Sequence, residues 1–180
     1  MAVNVPPIIR IAITGVESTG KTTLTRALCE ELGGVAVAEC ARYDPEVIAG
    51  NVTMSTLERL AFEQEQACQV AVKKALAEGA SCVVSDTDAI VLRMWGKHVF
   101  GSTPTGLENL ETWPDLTLLC APTIPWEDEP LRTMSRIEDR LSLHASYLDA
   151  VLSLPVYAVI DGKTYKNRLD QALQAFHVLR

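Results

Sequence analysis

Short apolar runs alternate with segments of helical periodicity along the whole chain. IIRIAIT at 8–14 is a β-rich run that stops at Gly15, and KTTLTRALCEEL after it brings Leu24, Ala27, Leu28 and Leu32 to one helical face. Gly33-Gly34 ends that helix and VAVAE at 35–39 reads as a second strand, so the first forty residues predict a βαβ unit with parallel pairing. Ser55 and Glu58 form an S-x-x-E capping box for a long helix that runs to Ala77 and stops near Gly79. CVVSD at 82–86 is the third strand, Asp88 caps a helix from Ala89, and 98–106 reads as a surface loop. Leu116 to Cys120 and 156–160, behind Pro155, are the fourth and fifth strands. Residues 126–140 and a helix through Leu154 lie between them, and a last helix carries Leu169, Ala172, Leu173 and Phe176 on one face. The alternation predicts an α/β fold, a parallel sheet covered on both faces with ligands beyond the carboxyl ends of its strands. No repeat, linker or charge block divides 1–180, so one domain is expected.

Composition narrows the class of partner. Hydrophobic residues make up 48% and charged residues 22% of the 180, which excludes a disordered chain. Sixteen Lys and Arg against 23 Asp and Glu give a net charge of −7, so no basic field is present to gather nucleic acid. Small anions stay compatible, because backbone N–H groups and a few local cations hold phosphate without net charge. No apolar run suits a membrane span or a secretory leader. Cys29, Cys40, Cys68, Cys82 and Cys120 are odd in number and unpaired in sequence, which suits small buried hydrophobes in a reduced, cytoplasmic protein. His98, His144 and His177 are scattered and suggest neither a metal site nor a triad.

The chemistry concentrates in GVESTGKT at 15–22, which fits G-x-x-x-x-G-K-[ST] and stands between a predicted strand and a predicted helix. Gly15 and Gly20 let backbone N–H groups turn inward around phosphate oxygens, and the helix dipole adds positive charge there. Gly15, Glu17, Ser18, Thr19, Gly20, Lys21, Thr22 and Thr23 are thus the expected cradle for ATP with Mg²⁺. Lys21 reaches the β- and γ-phosphates, and the Thr22 hydroxyl joins the metal shell. Asp86, at the end of the third strand, suits the acid that orders the metal, while the neighbouring Asp88 serves as an N-cap or as a second acid.

Glu39 ends the second strand in AECARYD, on the same edge as the cradle. It would take the proton of an attacking hydroxyl or bind a sugar diol, with Arg42 and Tyr43 bordering the acceptor; the plain alternative is a surface ion pair with Arg42. Arg132, Arg136 and Arg140 recur every fourth residue and, if helical, share the face of a lid over the phosphates; otherwise they are a solvated face paired with the acids around them. Trp126, flanked by Pro125 and the acids 127–129, would stack on a flat cationic ring or pack the lid base. Trp95 and Trp113 read as core. Gly162 and Tyr165, in DGKTYKNR, border an adenine or simply lead into a helix. The expected catalytic set is Lys21, Glu39, Asp88, Arg132 and Arg140.

These motifs in this order resemble the ribosylnicotinamide kinase domain of bacterial NadR and its P-loop nucleoside kinase-like and AAA-type ATPase relatives. GVESTGKT resembles that family's G-x-E-S-[ST]-G-K-[ST] loop, ECARY its E-x-x-R segment, SDTDA its D-T-D strand end, and PWEDEPLR with EDR its Trp-containing turn and lid. The resemblance covers about residues 8–176 and implies a three-layer P-loop fold with a five-stranded parallel sheet and a lid at about 126–140. It implies ATP-dependent phosphorylation of nicotinamide riboside to the mononucleotide in NAD synthesis. Region 95–113 departs from the pattern, and the adenylyltransferase and helix-turn-helix regions of full NadR have no counterpart. A kinase for another nucleoside or metabolite is one alternative; a P-loop ATPase or GTPase regulatory module without an acceptor is another, although no N-K-x-D guanine-reading motif is present.

Overall fold

A computed structural model describes residues 7–107, 114–130 and 132–179. Five parallel strands, β1 (Ile9–Thr14), β2 (Val35–Val37), β3 (Cys82–Asp86), β4 (Leu116–Cys120) and β5 (Tyr157–Ile160), lie in the order β2-β3-β1-β4-β5. The helices are α1 (Lys21–Leu32), α2 (Pro45–Ile48), α3 (Met54–Glu78), α4 (Ala89–Phe100), α5 (Ile137–Val151) and α6 (Tyr165–Val178), with a 3₁₀ turn at Cys40–Tyr43. This is the three-layer parallel α/β fold that the alternation predicts.

Strand periodicity sorts the core into two faces. Ile11 and Ile13 of β1, Cys82 and Val84 of β3, and Leu116, Leu118 and Cys120 of β4 pack on Leu24 and Leu28 of α1 and Ala172 and Phe176 of α6. Val83 and Val35 take the other face under Cys68, Ala71 and Ala75 of α3. Leu119 lies there too, under Ile90 and Met94 of α4 and Tyr147 and Val151 of α5. Trp95 packs partly buried beside Leu57 and Leu60, as a core residue should, whereas Trp113 lies outside the described residues. The cysteines are free, and burial pushes the thiols of Cys68 and Cys120 up to about 11, which leaves them inert packing groups.

Several boundaries differ from the sequence reading. The capping box of α3 is Thr53 with Thr56, not Ser55 with Glu58: Thr53 Oγ1 accepts from Thr56 N at 3.2 Å and Thr56 Oγ1 accepts from Thr53 N at 3.0 Å. Glu58 instead accepts from Thr105 N at 2.9 Å. Strand β2 ends at Val37, because the chain turns into the 3₁₀ segment at Cys40, and β5 begins at Tyr157. Residues 98–100 belong to α4, whose apolar face carries it to Phe100 before Gly101 ends it, so the loop starts there. Residues 132–136 are not helical; α5 starts at Ile137. The expected three-arginine helical face therefore does not form.

The sheet fixes the first loop tightly. Gly15 leaves β1 at φ 130°, and a Cβ there would stand 2.6 Å from the Cys120 carbonyl oxygen of β4. Both the backbone angle and the close approach require glycine. Gly15→Ala is expected to lower stability by about 2 kcal/mol or more, read by urea unfolding; a variant as stable as the parent would show that β4 yields at this contact.

Candidate active site

Gly20 is the N-cap of α1 and offers no side chain to the helix, so the first-turn N–H groups are open to an anion. Ser18 at φ 55° and Gly20 at φ 76° curl the loop around that point. Thr19 Oγ1 donates to Val16 O at 2.8 Å and braces the curl. Lys21 Nζ lies across the loop, donating to the carbonyls of Gly15 and Val16 at 3.0 Å each. Thr22 follows half-buried, and Thr23 is exposed.

Glu17 and Ser18 point away from this cradle and hold the segment after β4. Glu17 accepts from Trp126 Nε1 at 3.2 Å, Thr133 N at 3.0 Å and Met134 N at 2.6 Å. Ser18 Oγ accepts from Glu127 N at 2.9 Å and Arg132 Nη1 at 3.1 Å. Residues 126–127 and 132–134 thus lie on the loop, with Trp126 half-buried there. Arg132 Nη2 also meets Glu129 Oε1 at 2.7 Å. Arg136 shows the plain alternative: its side chain is 72% exposed and only loosely paired with Glu138 and Asp139. Arg140 is the opposite case, 3% exposed on α5, with Nε and Nη1 buried and unpartnered.

Two carboxylates flank the end of β3. Asp86 is 3% exposed and its Oδ1 is buried without a partner. Thr87 has φ 83°, a costly angle for a β-branched residue, fixed by its N–H donating to Ile13 O at 3.0 Å and its carbonyl accepting from Ser85 Oγ at 2.8 Å. Beyond that kink, Asp88 caps α4, accepting from Ile90 N at 3.0 Å and Val91 N at 3.3 Å. Burial pushes its carboxyl up to about 6, against the Thr14 hydroxyl, those two N–H groups and Lys21. Burial also raises Glu39 above the usual carboxylate range, opposed by Lys21 and Arg42 and reinforced by Asp86. The ion pair read from the sequence forms, Arg42 Nε to Glu39 Oε2 at 2.9 Å, while Arg42 Nη1 reaches Glu129 of the lid at 3.3 Å. Tyr43 is 74% exposed and is not packed into the crevice.

A divalent ion fits this donor set only in company. Among the described residues no group of three His, Cys, Asp or Glu is placed to hold a metal ion. The orphaned Asp86 Oδ1 and the Thr22 hydroxyl suit a hydrated Mg²⁺ that takes its remaining oxygens from phosphates and water.

Beside Asp88, a cavity of about 590 Å³ opens between α3 and α4. Its lining includes Glu58, Phe62, Glu65, Asp88 and Leu107 and, among the described residues, no lysine, arginine or histidine. On the other side of the cradle, a side chain on Gly20 would meet Ile124 Cδ1 at 3.2 Å and Tyr165 Cε1 at 3.4 Å, so these two flank the loop. Gly162 packs on the start of α6, where a Cβ would stand 2.9 Å from Arg168 N. Ile124, Thr87, Tyr147 and Arg168 escape the sequence reading. Arg168 alone left a signal, a cation in register with Ala172 and Phe176 on an otherwise apolar helical stripe.

A phosphate cradle at the carboxyl end of the central strand, on this sheet order, defines a P-loop domain with the fold of nucleoside and nucleotide kinases. The chain belongs to the AAA domain family, which matches residues 10–168. It is similar to the structure of NadR protein in complex with nicotinamide riboside, at 25% identity and TM-score 0.71, over 96% of this chain and 51% of that one. NadR in complex with NAD and AMP-PNP gives a TM-score of 0.69 at the same identity. The chain spans about half the length of these NadR chains. Thymidylate kinase from Candida albicans, at 16% identity and TM-score 0.67 over 96% of this chain and 92% of that one, shares the fold. No curated protein matches the chain. Among the described residues no helix is long and apolar enough to cross a membrane.

The half-buried acid at position 88 makes a pH prediction. A carboxyl raised to about 6 in the folded state holds its proton where the unfolded chain has lost it, so its contribution to stability falls as pH rises from about 4 through 6. Asp88→Asn, which keeps the cap, should match the parent near pH 4 and exceed its stability by about 1–3 kcal/mol at pH 7. Urea unfolding across that range reads the difference; a gap that narrows with rising pH contradicts the assignment.

Proposed function

We propose that this chain is an ATP-dependent small-molecule kinase, and that its acceptor is nicotinamide riboside, phosphorylated to the mononucleotide in NAD synthesis. The observation that carries the reading is the cavity of about 590 Å³ that opens at Asp88, whose carboxyl interacts with Lys21 of the phosphate cradle. A nucleotide switch has no use for a second chamber there. Its carboxylates and lack of cations suit an acceptor bearing a pyridinium charge, with Phe62 available to its flat ring. The similarity to NadR in complex with nicotinamide riboside supports the same acceptor.

In this reading the triphosphate lies on residues 15–22, with Lys21 leaving its carbonyl partners for the β- and γ-oxygens. Mg²⁺ held at Thr22 and Asp86 would offset phosphate charge. The acceptor hydroxyl enters from the cavity and attacks the γ-phosphorus as the bond to the β-bridging oxygen breaks and ADP departs. Asp88 takes the hydroxyl proton; a carboxylate raised to about 6 and lining the cavity is ionised yet basic enough at neutral pH. Glu39, held by Arg42, positions the acceptor rather than accepting its proton. Arg140, buried with two unpartnered nitrogens, turns toward charge developing on the transferred group, and the latched lid excludes water.

Lys21→Ala should abolish ADP release with every acceptor. Asp88→Asn should lower kcat about 10²–10⁴-fold with little change in ATP affinity, while Glu39→Gln should raise the acceptor KM more than it lowers kcat. A panel of nucleosides and small alcohols with labelled ATP tests the acceptor. Turnover of an uncharged nucleoside in preference to nicotinamide riboside would remove the proposed substrate and leave the kinase.

A further inference from the structure

Arg168 is the largest fully buried side chain of the molecule as described, at 1% exposure. Its guanidinium spends its donors on neutral oxygens: Nε on Gly162 O at 2.8 Å, Nη1 on Thr19 O at 2.8 Å, and Nη2 on Ala121 O at 2.6 Å and Thr123 Oγ1 at 2.8 Å. Among the described residues no carboxylate lies within ion-pair distance of it. A full positive charge is therefore buried directly behind the phosphate cradle, joined to it through the Thr19 carbonyl and met, among the described residues, by neutral oxygens and no ion pair. Burying a cation this way is costly unless something answers the charge, and carbonyl dipoles answer only part of it. Arginine does not shed its proton, so the charge persists.

We infer that Arg168 is a positioning residue of the donor site whose buried charge is completed by the phosphates of the nucleotide. It never touches them. It orients the Thr19 carbonyl, fixes the 121–123 and 161–162 turns beside Ile124 and Tyr165, and adds a permanent cation behind the loop that Lys21 serves from the front. This rests on the reading that a nucleotide occupies residues 15–22. A purely structural arginine would support AMP, ADP and ATP alike; a charge completed by phosphate favours each added phosphate more.

The experiment is calorimetric binding of AMP, ADP, ATP and inorganic pyrophosphate to the parent chain, Arg168→Gln and Arg168→Lys. The glutamine variant removes the charge and should lose on the order of tenfold in affinity for each added phosphate, with pyrophosphate weakened like ADP. The lysine variant keeps the charge and should retain the phosphate ladder even where all affinities drop together. Equal losses across the three nucleotides in Arg168→Gln, or a ladder lost equally in Arg168→Lys, overturns the inference. If either variant fails to fold, the Arg168 Nε–H resonance of the unaltered protein decides: it should shift on adding saturating pyrophosphate, and a resonance that stays put overturns it. A parent chain that binds none of the four ligands would instead remove the donor reading itself.

Discussion

The Arg168 guanidinium fastens three segments that chain order keeps far apart. Thr19 belongs to the first loop, Ala121 and Thr123 to the exit of β4, and Gly162 to the exit of β5, and each gives an oxygen to the same planar group. Exits of neighbouring parallel strands diverge with the twist of the sheet, and their backbone oxygens face a crevice with no ladder partner. A rigid fork with five donors suits that problem better than water, because it sets the spacing as well as satisfying the oxygens. The close approach of Gly15 to Cys120 completes the joint from the other side.

Against that fixed floor, the segment after β4 is held by side chains of the phosphate loop itself. Glu17 and Ser18 occupy variable positions of the motif, so neither is needed to turn backbone N–H groups toward phosphate. Their side chains are free to face the lid, and between them they take five hydrogen bonds from residues 126–134. Arg132 is drawn down to Ser18 by this arrangement, while Arg140 arrives separately, from the first turns of α5. The two arginines that the sequence spaces eight apart thus end in different surroundings, Arg132 on the phosphate loop and Arg140 buried on α5.

Much of the fold was legible because it depends on local pattern. The five strands and the five long helices around them follow from apolar periodicity, and the loop at 15–22 from residue types that few other conformations require. What was hidden depends on tertiary contact. Arg132, Arg136 and Arg140 have perfect helical spacing, yet Glu17 pulls the chain at Thr133 and Met134 into an extended path that local propensity does not foresee. Thr53 and Thr56 outcompete Ser55 and Glu58 as a cap because Thr56 also donates to Glu46 at 2.6 Å, a contact ten residues away. Asp86 and Asp88 were both visible, but the sharp turn at Thr87 that leaves one buried at the end of β3 and sets the other to cap α4 and line the cavity was not.

Two of the three groups that Glu17 binds are main-chain amides, those of Thr133 and Met134. Main-chain donors persist whatever side chain the residue carries, proline excepted. Thr133 and Met134 can therefore change side chain without losing their bonds to Glu17, whereas Trp126 and Arg132 hold the loop through their own side chains. The seat of this segment is thus indifferent to sequence at two amides and dependent on it at an indole and a guanidinium.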